Sequence, residues 1–356
     1  MDRYLVAMSG GVDSSVAALI ISSSGYECYG VTMKLHTSKD IWGDGCTTTE
    51  DIEDARRVCA GLGIPYSVVD FSDDFEKYVI SDFISAYENG ATPNPCIECN
   101  YHLKFDKLFS YGKEHGYGKI VTGHYARIEY DERYGRRVLK KAVDVSKDQS
   151  YVLFRLSREQ LDNTLFPLGS YSKEEIRRMA KDASLGIEDK KDSQDICFIP
   201  DGDYVAFIRN YTKKSYPCGN FVTSDGKILG THKGIIAYTI GQRKGLSLAL
   251  PHSMYVVEKR LDTNEVVIGE SEDLFSKGLW ADNICLSALD SIDTPLRIKA
   301  KVRYKQSEED AYATVENGLL HIVFDKPQRA ICAGQSVVMY DGDTVIGGGR
   351  IIKGEK

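Results

Sequence analysis

Two sets of residues in this chain have types and spacing suited to chemistry. Ser9-Gly10-Gly11-Val12-Asp13-Ser14-Ser15 directly follows a short apolar run, Tyr4 to Met8, and leads into Val12 to Ile20, a segment of helix-forming residues. Adjacent glycines let a backbone turn tightly and approach a ligand with no Cβ in the way. The N–H groups at the start of the following helix form a positive end that binds phosphate or pyrophosphate. Ser9, Ser14 and Ser15 add hydroxyl donors, and Asp13 is placed to hold Mg2+ or to cap the helix. No lysine follows the glycines, so this is not the nucleoside-triphosphate loop ending in Gly-Lys-Ser/Thr. The plainer reading is a tight strand-to-helix turn with an N-cap serine.

The second set is sulfur. Thr92-Pro93-Asn94-Pro95-Cys96-Ile97-Glu98-Cys99 carries two prolines, which predict a rigid, non-helical approach to a helix beginning at Tyr101. Cys99 then falls at or near the first turn, where a helix N-terminus lowers a thiol pKa. Cys197 lies in the apolar run Ile196 to Ile199. The nine cysteines are an odd number with no disulfide-framework spacing. Cys28, Cys59, Cys285 and Cys332 read as packing residues, whereas Cys46 and Cys218 sit in loops and fit either use.

The elements around these residues predict an α/β domain. Strands at Tyr4–Met8, Glu27–Met33, Pro65–Asp70 and Lys119–His124 alternate with helices at Val12–Ile20, Glu50–Leu62, Asp73–Tyr87 and Tyr101–Glu114. That alternation implies a doubly wound parallel sheet with ligands at the carboxyl ends of its strands. The Ser9 loop, Met33 and Gly123 all fall at such ends, where one nucleotide pocket would touch them. A hairpin-like excursion covers Arg127 to Val145, and helices follow at Ser157–Leu165 and Ser172–Leu185. Beyond about Asp201 the alternation stops, and turn signals separate short β-rich runs. The expected domains are 1–200, a small central domain at 201–272 and a C-terminal β-barrel at 273–356.

At 356 residues, 42% hydrophobic and 27% charged, the chain has an ordinary globular composition. It contains no apolar run of about 18 residues that would cross a membrane, and Met1-Asp2-Arg3 leads straight into a strand rather than a signal peptide. A cytoplasmic location and no membrane partner are expected. The net charge of −7 argues against nucleic acid as a whole-chain figure, but its distribution points the other way. Arg297-Ile298-Lys299-Ala300-Lys301-Val302-Arg303-Tyr304-Lys305 alternates strictly, so a strand there puts five positive charges on one face, suited to phosphate. The alternative is an ordinary solvated strand face. A second cluster, Arg127, Arg133, Arg136, Arg137, Lys140, Lys141 and Lys147, is weaker because acids are mixed in. Arg243-Lys244 lies between two glycines in an expected exposed turn. The histidines show no metal spacing, and His124 follows a strand end near the nucleotide.

The Ser9 loop resembles the pyrophosphate loop of ATP pyrophosphatases, which split ATP between the α- and β-phosphates and adenylate a substrate oxygen. Further strings occur in order: Met33-Lys34, Asn94-Pro95 with Cys99-Asn100, Thr122-Gly123-His124-Tyr125, Lys147-Asp148-Gln149-Ser150, Phe166-Pro167, Asp192-Ser193 with Ile196-Cys197-Phe198-Ile199, and Gly241-Gln242-Arg243-Lys244-Gly245. With them most of the chain resembles the bacterial tRNA-specific 2-thiouridylases, of the pyrophosphate-loop superfamily. The resemblance implies that ATP, held by Ala7, Met8, Ser9, Gly10, Gly11, Val12, Asp13, Ser14, Met33 and Gly123, adenylates the C2 oxygen of the wobble uridine in a tRNA anticodon stem-loop. Cys197 would carry a persulfide whose terminal sulfur attacks C2. Cys99, as nucleophile, would free the sulfur as hydrosulfide or close a disulfide with Cys197. Asn94, Pro95, Lys147, Asp148, Gln149, Arg303 and Tyr304 would touch tRNA. A persulfide donor, such as a cysteine desulfurase or relay protein, would load Cys197.

The chain departs from the family pattern at Cys96, where the usual residue is aspartate. Cys96, Cys99 and Cys197 together offer three thiolates, enough for an iron–sulfur cluster with one open iron or a Zn2+ with an open site. An alternative expectation is therefore the same reaction run by a cluster. Two further alternatives are another adenylating ligase that shares the loop, and a non-catalytic RNA-binding protein.

Overall fold

The computed structural model of the chain describes residues 2–35, 46–188, 190, 196–250 and 252–356. Asp192, Ser193, Gln194 and Asp195, part of the string that precedes Cys197, lie outside the described residues.

The first sheet is parallel and five-stranded, in the order β3-β2-β1-β4-β7. Its strands and helices run in sequence as β1 (Arg3–Ala7), α1 (Val12–Ser23), β2 (Glu27–Lys34), α2 (Thr49–Gly61), β3 (Tyr66–Asp70), α3 (Ser72–Phe75), α4 (Ser81–Glu88), α5 (Pro95–Glu98), α6 (Leu108–Glu114), β4 (Lys119–Val121), β5 (Ala126–Asp131), β6 (Arg136–Lys141), α7 (Ser150–Leu153), α8 (Arg158–Asp162), β7 (Thr164–Leu165) and α9 (Lys173–Asp182). Strand β1 is central because Leu5 and Val6 are fully buried, with α1 and α9 packed over one face through Val16, Ala17, Ile176 and Ala180. Strands β2, β1 and β4 are neighbours, so the loops leaving their carboxyl ends meet on one edge. This is the expected doubly wound domain.

Two stretches of π-helix, Glu76–Ile80 and Cys99–Lys107, join α3 to α4 and α5 to α6. The second makes one continuous helical stretch from Pro95 to Glu114. The helix thus begins six residues before the expected Tyr101, because Pro95 takes the first helical position, where its missing N–H costs nothing, and the Asn94 side chain accepts from the Cys96 N–H. The prolines open this helix rather than hold the chain out of it.

The central region holds α10 (Tyr204–Thr212), which no local pattern announced, and a four-stranded sheet of β8 (Gly219–Val222), β9 (Ile228–His232), β10 (Tyr255–Arg260) and β11 (Glu265–Gly269). Six strands follow: β12 (Phe275–Leu286), β13 (Leu296–Lys301), β14 (Glu309–Glu316), β15 (Leu319–Arg329), β16 (Ser336–Asp341) and β17 (Thr344–Glu355). The pairing of β12 with β17 closes them into an antiparallel barrel. The β5–β6 hairpin is not a free excursion. Thr344 of β17 pairs with Lys140 of β6, so the hairpin extends the barrel sheet. The barrel also grips the first, doubly wound domain: the Thr92 N–H donates to the Ala333 carbonyl (2.8 Å), the Tyr151 hydroxyl to that of Ser336 (2.7 Å), and Arg350 pairs with Asp82 (3.0 Å).

Candidate active site

The loop after β1 is held by its own side chains. Ser14 Oγ accepts from the Ser9 N–H (3.1 Å), lies 3.1 Å from Ser9 Oγ, and reaches the Gly11 carbonyl at 3.2 Å. Gly10 has φ +72°, and a Cβ there would lie 2.3 Å from the Asp51 carbonyl oxygen of α2. Gly123 also comes close from the β4 side, since a Cβ on it would sit 2.7 Å from the Ser14 nitrogen. Gly11 occupies the N-cap of α1 with no side-chain cap, so the first-turn N–H groups of Val12, Asp13 and Ser14 face outward without intrahelical acceptors. Ala7 ends β1, and Met8 is tied to β2 by its N–H to Val31 (2.9 Å) and by Thr32 Oγ1 donating to its carbonyl (2.8 Å). Met33 stands at the end of β2, its carbonyl accepting from Thr47 Oγ1 at 2.9 Å.

Asp13 neither caps α1 nor presents a free carboxylate. Lys173 Nζ donates to both its oxygens (2.8 and 2.9 Å), and the Tyr125 hydroxyl donates to one of them (2.7 Å). This donor set does not fit direct Mg2+ ligation at Asp13. Lys190 clamps the loop from the other side, donating to the Gly10 carbonyl (3.2 Å), Asp51 (2.7 Å) and Asp54 (2.8 Å). Sequence reasoning passed over Lys173 and Lys190, and named Tyr125 only as part of a string, with no role. Their only signal was being polar residues close to recognised strings, since the partners that give them meaning are more than 100 positions away.

The thiols gather beside this loop. Cys96, Cys99, Cys197 and Cys46 interact electrostatically with one another, and Cys46 Sγ lies 2.6 Å from Cys197 Sγ. Cys197 is exposed, whereas its neighbours Phe198 and Ile199 are buried with Phe75, Phe83 and Phe207. The hydrogen bond from Cys46 is the main cause that lowers the Cys197 pKa, burial opposes it, and the Lys104 ammonium assists. Cys46 as the donor is raised. Cys99 contradicts expectation: burial pushes its thiol up to about 12, against the smaller pull of Lys104. It stands at the end of the first turn, where the helix-terminal field has faded. Lys104, one wide π-turn beyond Cys99, also lies 3.5 Å from His124 Nε2. Burial and then that cation keep His124 neutral, with Nδ1 2.7 Å from Thr122 Oγ1.

Among the described residues no group of three His, Cys, Asp or Glu side chains is placed to hold a metal ion. Nothing in the arrangement of the described residues therefore favours the alternative of a cluster at Cys96, Cys99 and Cys197. Cys28, Cys59 and Cys332 are buried as packing residues, and Cys285 is half-buried.

The segments expected to meet RNA are distributed unevenly. Asp148 is buried, accepting from the N–H groups of Ala142 (3.0 Å) and Ser150 (3.2 Å), and Gln149 Oε1 accepts from the Tyr125 N–H at 2.9 Å. Both side chains shape the protein from within. Asn94 caps α5 and Pro95 is buried, beside half-buried Tyr304, whose hydroxyl feels the charge of Cys96. Strand β13 ends at Lys301, so the alternation does not reach Lys305. Arg297 is met by Asp325 (2.6 Å) and Asp310 (3.7 Å) from β15 and β14, and Arg303 turns inward to the Ala330 carbonyl (2.6 Å). The five-charge face therefore does not form. In the hairpin, Arg127 pairs with Glu129 and Asp343, Arg133 with Asp131 and Asp341, Arg136 with Asp290, Lys140 with Glu129 and Asp131, and Lys141 with Glu308. Arg127, Arg133, Arg136 and Lys141 fasten the hairpin to the barrel through Asp343, Asp341, Asp290 and Glu308, whereas Lys140 is paired within the hairpin. Arg243 and Lys244 are exposed in a turn, as expected.

A pyrophosphate-type loop on a doubly wound sheet, with thiols gathered near the carboxyl end of its β2 strand, defines a nucleotide-dependent enzyme equipped for sulfur chemistry. Three family models match the chain in succession: a tRNA methyl transferase HUP domain over residues 2–201, a tRNA methyl transferase PRC-barrel domain over 205–270, and an aminomethyltransferase beta-barrel domain over 276–351. The chain is 46% identical over 354 residues to the tRNA-specific 2-thiouridylase MnmA of Clostridioides difficile, covering 99% of this chain and 98% of the relative. It is 47% identical over 354 residues to that of Acetivibrio thermocellus, covering 98% and 99%. The chain belongs to the tRNA-specific 2-thiouridylase family.

Proposed function

We propose that this chain is an ATP-dependent tRNA 2-thiouridylase. It adenylates the C2 oxygen of a uridine in tRNA and replaces that oxygen with sulfur, giving 2-thiouridine, AMP and pyrophosphate. The observation that carries this reading is the junction of the two sites. Cys46, in contact with Cys197, is followed directly by Thr47, whose hydroxyl holds the Met33 carbonyl at the nucleotide end of β2. A sulfur on Cys197 is thereby held close to where an ATP-activated oxygen would stand.

In this reading Ala7 to Ser14, Met33 and Gly123 hold ATP. The N–H groups at the start of α1 take the phosphates, and a fixed array of donors stabilises charge as it develops on the departing pyrophosphate. Lys173 and Lys190 are poised to turn from their carboxylate partners to phosphate. Cys197, as the thiolate favoured by Cys46 and Lys104, takes the terminal sulfur of a persulfide supplied by a donor protein. Cys99 completes the pocket as a second family thiol, protonated at neutral pH. Asn94, Pro95, Lys147, Arg303 and Tyr304 are read as the tRNA contacts, supported by the closeness of Tyr304 to Cys96, and Asp148 and Gln149 support them through hydrogen bonds to the backbone. The division at 201 and 273 assigns the nucleotide and the thiols to the first domain and leaves the barrel to brace the entrance. A folded protein given ATP, an unmodified tRNA and a persulfide donor is expected to form 2-thiouridine, detected by nucleoside mass spectrometry, with one pyrophosphate for each. Pyrophosphate release with no thiolated nucleoside would instead favour another adenylating ligase.

A further inference from the structure

Lys104 is a cation in surroundings that do not suit a purely structural one. It is half-buried on the π-helix, one wide turn beyond Cys99. Elsewhere in the first domain Lys34, Lys107, Lys113, Lys119, Lys173 and Lys190 each meet a carboxylate oxygen at 2.7 to 2.9 Å. Among the described residues Lys104 meets none, and the polar atom at its ammonium is His124 Nε2, at 3.5 Å. An ammonium only donates, so Nε2 is the accepting nitrogen of that ring. The neutral imidazole then carries its proton on Nδ1 and donates it to Thr122 Oγ1, 2.7 Å away. His124 is also buried, with its ring centre 5.9 Å from that of Phe105 and 5.8 Å from that of Phe166. The imidazole therefore orients the ammonium without cancelling its charge.

This charge stands between the two halves of the site. On one side it is felt by Cys96, Cys99 and Cys197. On the other, His124 directly follows Gly123, which closes on the Ser14 nitrogen of the nucleotide loop. A half-buried charge without a counter-ion is costly until an anion completes it. The anion that the reaction assigned above creates between thiols and loop is the phosphate joined to the C2 oxygen. We propose that Lys104 is a catalytic residue whose ammonium binds the α-phosphate of the adenylated uridine and stabilises the charge that AMP takes up as it leaves. The proposal rests on that reaction and adds a residue to it.

In this step the terminal sulfur of the Cys197 persulfide gives an electron pair to C2. The bond between C2 and the adenylated oxygen breaks, and its pair stays on that oxygen, which departs as a phosphate oxygen of AMP. Lys104 keeps its proton throughout and supplies only charge. A donor fixed before the reaction stabilises developing charge without having to reorganise, and His124 with Thr122 does the fixing. Lys173 and Lys190 are held by Asp13 and Asp51 at the loop that takes the pyrophosphate. Lys104 is the corresponding cation for the part of ATP that stays behind.

The test is one turnover of the full chain with an unmodified tRNA transcript, glutathione persulfide as sulfur donor and ATP radiolabelled at its α-phosphate, quenched into dithiothreitol. In Lys104→Gln, 2-thiouridine formation should fall by about 100-fold. Labelled phosphate should build up on the tRNA, because the adenylate forms and is not displaced. Loading of sulfur onto Cys197, read by protein mass spectrometry, should change by no more than about threefold, since Lys104 only assists that thiolate. Lys104→Arg keeps the charge on a wider head and should thiolate within about tenfold of wild type. Four results would overturn the role of Lys104 and leave the reaction standing: near-normal thiolation by Lys104→Gln, its loss with no labelled tRNA, sulfur loading that falls as far as thiolation, or an arginine variant as inactive as the glutamine one. If Lys104→Gln does not fold, Lys104→Arg decides alone, and its loss of thiolation contradicts the proposal. Wild-type protein forming no 2-thiouridine would instead remove the reaction itself, and the proposal with it.

Discussion

The nucleotide loop and the thiol pocket lie side by side yet are built in opposite ways. The loop is one contiguous segment: Ser9, Gly11 and Ser14 bond to each other, and Lys190, Lys173 and Tyr125 brace it from outside. The pocket is assembled from three separate stretches, ending at Cys46, Cys99 and Cys197, with Lys104 reaching across from the π-helix. A contiguous site is set by backbone conformation, so its weak points are glycines. An assembled site is set by which side chains meet, and its properties depend on pairs.

The sharpest contrast comes from Gly10→Ala. Its Cβ would collide with the Asp51 carbonyl at a positive φ, so tRNA-dependent pyrophosphate release is expected to fall by about 100-fold or more. A steady-state pyrophosphate assay reads this. Activity within a few-fold of wild type would show that the loop is not the nucleotide site. Cys197→Ala should act on the other half, removing 2-thiouridine formation while costing pyrophosphate release far less.

Next in size is Lys173→Met, which strips Asp13 of the cation bonded to both its oxygens. Asp13 is partly solvated, so the stability loss should be about 2 kcal/mol rather than the larger cost of a fully buried pair. Chemical denaturation followed by circular dichroism measures it, and no change would mean that the pair is incidental. The thiols differ in pH response. Cys197 lies below the ordinary thiol pKa and Cys99 near 12, and only thiolate reacts with iodoacetamide. Cys197 should therefore be alkylated first near neutral pH, and Cys99 only as the pH rises well above 9. Cys46→Ala should move the Cys197 profile to higher pH, because it removes the hydrogen-bond donor that favours the thiolate. An unchanged profile would deny the pair its role.

The contrast also explains what was legible in the sequence. The loop, its strand and its helix could be read from the one continuous stretch Tyr4 to Ile20, and the strand–helix alternation gave the sheet because each element follows its own local period. The thiol pocket could be read only through family resemblance, and the part that was argued physically came out reversed. Cys99 was expected to be the activated thiol from its position near a helix start. The helix in fact begins at Pro95, and burial outweighs the terminal field. Cys46 looked like any loop cysteine, since the sulfur it touches lies 151 residues away. The basic strand failed for a related reason. Arg297 and its neighbours alternate as expected, but Asp310 arrives on the adjacent strand β14 and Asp325 on β15 beyond it, information that a single strand cannot carry. That correction gives the smallest expected effect. Arg297→Gln should leave tRNA affinity within about two-fold at moderate salt, because its charge is already neutralised and an exposed pair contributes little. A binding isotherm that weakened tenfold would restore the strand as an RNA contact.

The central claim is that the loop activates the same oxygen that the thiol pocket replaces. It is tested most directly by tRNA whose uridine carries a heavy-oxygen label at C2, incubated with the protein, ATP and a persulfide donor. The account predicts that the label leaves in the phosphate of AMP, one atom for each 2-thiouridine formed. Label retained in the modified tRNA, or released to water while AMP stays unlabelled, would contradict it.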